Sequence, residues 1–333
     1  MTTVKDGLFQ YGGSAVGSGM LPVMGQTGTS GASKSFFVHG ANGSDGNPGT
    51  VKAPLKTITA AYGLCTSGAG DTVYVLNDGS TTATVRDVAL TWAKNNTHLV
   101  GLGAPAINNR ARISTVSGST DVDAYTPYLT LSGSGCIISN VSWFQGNSED
   151  AKASVGVKVT GSRNYFSRNS IITGAHANQA DEASYQLQVT GSENVFEDCY
   201  IGQDTASAGN NAAYANLRFG SGANDEATRN VFRRCIFPMF ADDTEPCFVR
   251  VVAVADVQRW NLFENCTFIN TGTSTLDAAI VVVGSVTGKL FFQNCAFYGM
   301  TDVTAADSSD VLLYGISGAS VVDVGHFKGV DIA

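Results

Sequence analysis

The sequence contains few charged residues, few prolines and no long apolar run. Of its 333 residues only 14% are charged, and acidic residues outnumber basic ones by 28 to 20. Because the chain has no basic patch, nucleic acid is not expected as a partner. The lack of a long apolar stretch argues against a membrane span, and the first residues lack the apolar core of a secretory signal. The length allows one large solenoid or two ordinary domains.

Cysteine is also scarce: there are 7 residues, an odd number, and no Cys-x-x-Cys pair. They stand in apolar surroundings, where an unpaired cysteine behaves as a small buried hydrophobe. We therefore interpret them as reduced core residues. The alternatives are a disulfide framework or a metal site, although the spacing typical of zinc ligands is missing. No metal and no other cofactor is predicted.

The main positive feature is an eight-residue repeat motif. Its copies are residues 136–143, 164–171, 194–201, 230–237, 261–268 and 290–297. The clearest copies read NVFEDCYI (194–201) and NVFRRCIF (230–237). Measured at the Cys position, the spacing runs from 28 residues (169 − 141) to 36 residues (235 − 199). A period in this range indicates a repeat architecture.

The residues between the motifs identify the kind of repeat. Aliphatic residues alternate with other residues in runs such as 155–159 and 185–189, and no helical period is sustained. Each unit therefore contains two or three short strands, which argues against helical and leucine-rich solenoids. A β-propeller fits poorly, because each of its blades needs four antiparallel strands and about 40 residues. We predict an all-β, right-handed parallel β-helix of roughly nine coils.

Stacked coils place equivalent side chains about 4.8 Å apart. The motif therefore predicts an internal column of phenyl rings (Phe196, Phe232, Phe263 and Phe292) and a column of thiols (Cys199, Cys235, Cys266 and Cys295). Near the surface it predicts two charge ladders of alternating sign, formed by Glu197, Arg233 and Glu264 and by Arg168, Asp198 and Arg234. Opposite charges that face each other across strands are favourable, so we interpret both ladders as structural.

The chain before the coils divides into an arm, residues 1–34, and the start of the β-helix domain, residues 35–333. The arm is rich in Gly, Ser and Thr and cannot bury enough apolar surface to fold by itself. It is either a disordered tail or an arm that docks Leu8, Phe9 and Tyr11 on a partner or a neighbouring subunit. After it, Thr57 is placed to cap a short amphipathic helix that would cover the open end of the first coil.

Residues 36–61 carry a resemblance. A strand, a Gly-Ser-Asp turn (43–45) and a Pro-x-x-Thr-Ile-x-x-Ala helix (54–61), followed by Val-Tyr-Val (73–75) and Leu-Val-Gly-Leu-Gly (99–103) strands, resemble the start of pectate-lyase-like right-handed β-helix proteins. The first thirteen residues are similar to the starts of bacteriophage virion proteins of this shape. The resemblance implies a homotrimer, and it spans lyases, hydrolases, tailspikes and non-catalytic virion proteins, so it implies no single activity.

Hydrolysis of a polysaccharide would need two carboxylates about 5–9.5 Å apart. If the protein is an enzyme, the candidates are Asp181, Glu182, Asp242 and Asp243, which follow the motif at similar distances in successive units. The alternative is that these doublets are solvated turns. The four histidines, 39, 98, 176 and 326, form no legible catalytic arrangement, and His98 is expected to be packed.

The function favoured by the sequence is a non-enzymatic virion structural protein. It would be a bacteriophage capsid decoration or cement protein, made in the host cytoplasm and held on the capsid surface by its arm. Its partner would be the major capsid protein or another virion protein. The alternative is a tailspike-type β-helix that binds or depolymerises a polysaccharide. A free-standing polysaccharide lyase or hydrolase is a third possibility.

Overall fold

The repeat motifs form short parallel strands that stack along one axis. The computed structural model describes residues 33–81, 84–116, 119–146, 152–173, 182–209, 211–221, 225–284, 286–305 and 309–316, and a strand pair at 10–11 and 14–15. In chain order the first strands are β1 (Gln10–Tyr11), β2 (Ser14–Ala15), β3 (Ser35–Val38), β4 (Thr72–Leu76), β5 (Val85–Asp87), β6 (Leu90–Trp92), β7 (His98–Leu102), β8 (Arg112–Thr115) and β9 (Leu129–Leu131). The next are β10 (Ile137–Ser139), β11 (Ser142–Phe144), β12 (Val155–Val159), β13 (Tyr165–Ser167), β14 (Ser170–Ile172), β15 (Tyr185–Val189), β16 (Val195–Glu197), β17 (Tyr200–Ile201), β18 (Gln203–Ala208) and β19 (Ala215–Phe219). The last are β20 (Val231–Arg233), β21 (Ile236–Ala241), β22 (Cys247–Val251), β23 (Trp260–Glu264), β24 (Thr267–Asn270), β25 (Leu276–Val282), β26 (Lys289–Gln293), β27 (Ala296–Tyr298), β28 (Met300–Thr304) and β29 (Val311–Tyr314).

These strands form three parallel sheets. Sheet one has ten strands, in the order β29-β26-β23-β20-β16-β13-β10-β7-β4-β3. Sheet two has nine, β27-β24-β21-β17-β14-β11-β8-β5 with β18 beside β21, and sheet three has eight, β28-β25-β22-β19-β15-β12-β9-β6. Each coil contributes a strand to each sheet in turn, so the fold is the right-handed parallel β-helix that was predicted. The described part contains eight three-stranded coils, fewer than the roughly nine expected.

The predicted column of phenyl rings runs through the centre of the molecule. Phe166, Phe196, Phe232 and Phe263 stack with ring centroids 4.7 Å apart, and Phe292 follows at 4.4 Å. A second column, Phe237, Phe268 and Phe297, stacks beside it at 4.6 and 4.7 Å. All of these rings are almost completely buried. The motif therefore builds the core by placing the same side chain at the same point of successive coils.

The thiols form a further column, as predicted. All seven cysteines are buried and none forms a disulfide. The Sγ atoms of Cys235, Cys266 and Cys295 each donate to a backbone carbonyl of the preceding coil, at 3.4–3.6 Å. Burial raises the pKa of Cys235 well above the ordinary thiol value. The column therefore consists of reduced, closely packed side chains.

The Asn that begins the motif also stacks. The backbone N–H of Asn164, Asn194 and Asn230 donates to the Oδ1 of the Asn one coil further on, at 2.9–3.0 Å. Each of these side chains also donates Nδ2 to a carbonyl of the preceding coil, for example Asn230 to Gly191 O at 3.1 Å. The buried turn therefore satisfies its polar groups from coil to coil.

The residue before the Cys position has a left-handed backbone in every copy. The φ angle is 51–55° at these positions, which are Asn140, Arg168, Asp198, Arg234, Asn265 and Asn294. Asn and Asp tolerate this region better than other residues with a Cβ. The chain needs the left-handed residue because it must turn sharply from sheet one into sheet two within one or two residues.

A tight glycine column explains the repeated Thr-Gly-Ser sequence at 160–162 and 190–192. A Cβ on Gly191 would lie 2.0 Å from the carbonyl oxygen of Gly161, and a Cβ on Gly161 would lie 2.0 Å from that of Gly133. No larger residue fits where consecutive backbones come this close.

The N-terminal end is covered by helix α1 (Ile58–Leu64), and the Thr57 hydroxyl accepts from Ala60 N at 3.1 Å. The predicted capping helix is therefore confirmed, and it packs on β3, β4 and β5. The first strand, β3, was expected only to lead into a turn. It instead pairs with β4 as the edge strand of sheet one.

The arm is described only at β1 and β2, which form a short antiparallel pair, with Tyr11 opposite Ser14. Leu8 and Phe9 lie outside the described residues. None of the helices in the described ranges has the length and apolar character needed to cross a membrane.

The phenyl column gives a stability prediction. Replacing Phe232 with alanine should lower the free energy of unfolding by about 3–5 kcal/mol, because the cavity lies between two stacked rings that cannot collapse. Urea unfolding measures this loss. The matched control is Phe291→Ala, since that ring is 38% exposed on the outer face, and it should cost less than about 1 kcal/mol. Equal losses would contradict the stacked core.

His98 gives a prediction about pH. Its side chain is 2% exposed, and its Nδ1 accepts from Ile137 N at 3.1 Å. Burial lowers the pKa of His98 from 6.5 to about 4, against a smaller opposing effect of Asp71. As the pH falls, His98 is therefore protonated in the unfolded chain at a higher pH than in the folded protein.

Stability should consequently be lost as the pH falls from about 6.5 to about 4, by roughly 3 kcal/mol from this group. The variant His98→Gln, measured by urea unfolding across this range, should have a flatter profile. A profile that His98→Gln leaves unchanged would refute the assignment.

Candidate functional site

The predicted carboxylates lie in the connections between sheets two and three. Asp242 and Asp243 follow β21, and Asp243 Oδ1 accepts from Thr244 N at 2.6 Å. Glu182 precedes β15, two coils away, which separates it from Asp243 by about 9.6 Å along the axis alone. That is at or beyond the limit for a pair of glycosidase carboxylates. Asp181 lies outside the described residues, so the pair that includes it stays a prediction.

The ladder of Glu197, Arg233 and Glu264 on the outer face of sheet one is confirmed, and Asp198 and Arg234 of the second ladder pair in the turns that follow these strands. Arg233 Nε lies 2.7 Å from Glu264, and Arg234 lies 2.8 Å from Asp198 and 2.7 Å from Glu197. A hydrogen bond from Tyr165, followed by the two arginines, lowers the pKa of Glu197. These carboxylates are paired with arginines, and their contacts are those of a structural ladder.

A different arrangement lies on the outer face of sheet three. Lys158, Gln188, Arg218 and Arg250 stack in register on β12, β15, β19 and β22. Each lies between inward-facing residues of its strand that are fully buried. Side chains on adjacent strands stand about 4.8 Å apart, so four polar groups form a continuous column along the helix axis. We call this set the sheet-three column.

Aromatic and apolar residues support the sheet-three column. Arg218 Nη1 donates to the Tyr185 hydroxyl at 2.8 Å, and its guanidinium lies 5.0 Å from the centre of the Tyr185 ring. Tyr185, Ala215 and Cys247 form a small buried cluster separate from the central core. Burial raises the pKa of Cys247 to about 11, which keeps the thiol protonated beneath Arg250. The arginines are therefore held against the sheet instead of extending into solvent.

The positive charge of the sheet-three column is not neutralised within the described part of the chain. There, Lys158, Arg218 and Arg250 form no salt bridge, whereas Arg233 and Arg234 do. The Nε atoms of Arg218 and Arg250 are buried and make no hydrogen bond. Two unpaired guanidiniums on adjacent coils repel each other, and an anion or a row of hydroxyl groups would relieve that repulsion.

A buried polar network fixes the strands behind the sheet-three column. Thr173 N donates to Gln186 Oε1 at 2.6 Å, and Gln186 Nε2 donates to the Tyr214 hydroxyl at 3.0 Å. Ser154 N donates to Ser184 Oγ at 2.9 Å in the same region. These residues connect the ends of the sheet-two strands to the starts of the sheet-three strands. A fully paired network of this kind holds a surface rigid.

Sequence reasoning missed the sheet-three column although its members were visible. Each lies between two inward residues, as in Val157-Lys158-Val159 and Val249-Arg250-Val251. Alignment of these runs would have put the four polar residues in one column. No group of three or more His, Cys, Asp and Glu side chains in the described ranges is arranged to bind a metal ion.

Comparison of the sequence with protein-family models and with curated proteins gives no match. Comparison of the structure with solved structures gives several. A rhamnogalacturonan lyase superposes with a TM-score of 0.57 at 14% identity, over 86% of this chain and 74% of that one. A pectin methylesterase variant in complex with a hexasaccharide gives 0.56 at 15% identity, over 87% and 91%. The pectin methylesterase PemA from Erwinia chrysanthemi gives 0.54 at 14%, over 87% and 91%.

The chain shares the parallel β-helix fold of these pectin methylesterases and of the rhamnogalacturonan lyase. The resemblance inferred from residues 36–61 is therefore confirmed at the level of the fold. At these identities the likeness concerns the fold alone, and it includes no virion protein among the structures named above.

Proposed function

We propose that the chain is a polysaccharide-binding β-helix protein whose contact surface is the sheet-three column. The observation that carries this proposal is the register of Lys158, Gln188, Arg218 and Arg250 on four adjacent coils. A repetitive surface suits a repetitive ligand, and three of the four coils offer a cationic donor in the same column, from Lys158, Arg218 and Arg250. Guanidinium and amide groups donate to the hydroxyl and carboxylate oxygens that polysaccharides carry.

Two further observations support binding at this face. Tyr185 holds Arg218 in place through a hydrogen bond and a ring contact, which reduces the entropy lost when a ligand is bound. Among solved structures of the same fold, one is a pectin methylesterase in complex with a hexasaccharide. We propose binding without cleavage, because Glu182 and Asp243 lie two coils apart, about 9.6 Å along the axis, which is at or beyond the separation of a glycosidase pair.

The double variant Arg218→Gln/Arg250→Gln should weaken polysaccharide binding by about tenfold or more, because each lost charge-assisted hydrogen bond is worth about 1.5–3 kcal/mol. Affinity electrophoresis in gels that contain polygalacturonate or a neutral glucan measures the change. Arg163→Gln is the matched control, because that residue is 77% exposed and belongs to a sheet-one ladder.

The proposal fails if neither polymer retards the wild-type protein, or if the control variant loses binding as fully as the double variant. Assays for new reducing or unsaturated ends on the same polymers test whether binding is accompanied by cleavage. If such new chain ends appear, the protein is a depolymerase and not only a binding protein.

A second candidate is the non-enzymatic virion structural protein suggested by the sequence. The observation that favours it is the pairing of the sheet-one carboxylates, which stiffen the coils and carry no sign of a catalytic role. In this case the arm residues Leu8, Phe9 and Tyr11 would dock on the major capsid protein. A homotrimer on the capsid surface is the corresponding assembly.

Deletion of residues 1–34 tests this candidate. The truncated protein should keep its β-helix, seen as an unchanged circular dichroism spectrum, and should fail to sediment with purified phage particles. Full-length protein that does not sediment with particles, or truncated protein that still does, would rule out docking through the arm. The number of copies per particle separates a shell protein from a tail spike.

A further inference from the structure

Three arginines lie together on the outer face of sheet two in the N-terminal coils. Arg86 is on β5, Arg112 is on the adjacent strand β8, and Arg110 comes just before β8. The register pairs Arg86 with Ser114 and Val85 with Ile113. Because Val85 and Ile113 are fully buried in the core, the neighbouring residues Arg86 and Arg112 point outward. We call Arg86, Arg110 and Arg112 the arginine triad.

The arginine triad is partly fixed by its neighbours. Arg86 Nη1 donates to Ser114 Oγ at 3.0 Å and to Thr115 O at 3.1 Å. The guanidinium of Arg112 lies 3.9 Å from the centre of the Phe144 ring, so one of its faces is covered. These contacts hold the guanidinium groups of Arg86 and Arg112 on one surface and leave some of their N–H donors without a partner in the described part of the chain.

Two buried donors within the triad's surroundings make no hydrogen bond within the described residues. One is Arg112 Nε, and the other is the hydroxyl of Ser142, the register partner of Arg112 on β11. Ser142 is 0% exposed. A buried donor without an acceptor costs about 1–3 kcal/mol. Both atoms are closed off from solvent, so the contacts to an external anion would come from the exposed guanidinium groups of Arg86 and Arg110.

No carboxylate in the described ranges forms a salt bridge with any of the three arginines. Asp87 is next to Arg86 in sequence, but its two oxygens accept from Thr59 N at 2.9 Å and from Thr59 Oγ1 at 2.8 Å. Burial, followed by the charges of Arg110 and Arg86, lowers the pKa of Arg112. The three cations are therefore close enough to repel one another, in a chain whose net charge is −8.

We infer that the outward-facing guanidinium groups of the arginine triad form a binding site for an oxyanion such as phosphate, sulfate or a carboxylate group. Guanidinium forks match these anions in shape and charge. An anion would accept from the unused donors and relieve the repulsion between the arginines. The triad lies on sheet two and the sheet-three column on another face, so this inference stands independently of the proposed polysaccharide binding.

Equilibrium dialysis with radiolabelled inorganic phosphate tests the inference directly. Wild-type protein should bind phosphate saturably at millimolar concentration, in competition with sulfate. The variant Arg86→Gln/Arg112→Gln should bind it about tenfold more weakly or worse. The variant Arg163→Gln is the matched control and should retain phosphate binding, because that arginine is 77% exposed and already paired with Glu193.

Absence of saturable binding to wild-type protein would overturn the inference, and so would unchanged binding in Arg86→Gln/Arg112→Gln. If that variant does not fold, as judged by circular dichroism, Arg110→Gln replaces it, because Arg110 is exposed and donates no hydrogen bond that the fold requires. Its binding should also fall, and unchanged binding would count against the site.

Competition experiments separate the possible sources of the anion. If acetate and polygalacturonate displace phosphate, the group recognised is a carboxylate that a polymer can supply. If only sulfate does, it is a tetrahedral anion. Retardation of Arg86→Gln/Arg112→Gln by polygalacturonate as strongly as wild type, with phosphate binding lost, would show that the two sites act separately. Either result supports the site, and failure of polysaccharide binding leaves the phosphate result intact.

Discussion

In-register parallel pairing is the constraint on which this structure depends. Each residue of a coil lies directly over its counterpart, about 4.8 Å away. Each side chain must therefore be compatible with the equivalent side chain of the next coil. Inside the molecule, identical side chains satisfy this constraint well. Phenyl rings stack nearly parallel, as Phe263 and Phe292 do at an interplanar angle of 1°, and Asn side chains pass hydrogen bonds from coil to coil.

The same constraint is unfavourable for charges. Like charges stacked at this distance repel, and the chain avoids this on sheet one by alternating the sign, as in Glu197, Arg233 and Glu264. The outer faces of sheets two and three do not alternate. Arg218 lies opposite Arg250, and the charges of Arg110 and Arg86 help to lower the pKa of Arg112. None of these arginines forms a salt bridge with a carboxylate among the described residues. On sheet one the charges are paired, whereas the arginines of sheets two and three have no salt-bridge partner among the described residues. Binding of an external anion would explain this difference.

Prediction from the sequence succeeded where a residue type is required by the local environment. The columns of Phe and Cys, the burial of His98 and the cap at Thr57 all followed from the sequence pattern and side-chain chemistry. The left-handed turn was partly visible, since Asn140, Asp198, Asn265 and Asn294 are residues that tolerate it. The turn could not be predicted at Arg168 and Arg234, because arginine does not usually indicate a left-handed backbone. The candidate carboxylates were less predictable, since loop length gives no distance between side chains.

The sequence alone determined the architecture, because a motif repeated about every 30 residues can bury its apolar positions only by stacking coil on coil. It also determined which side chains fill the core. The tertiary structure decided which surface residues meet: Lys158 and Arg250 are 92 residues apart (250 − 158) and yet belong to one column. The physical reason is that connections of different length between sheets two and three, as between β17 and β19 and between β21 and β22, change the sequence spacing without changing the register of the strands.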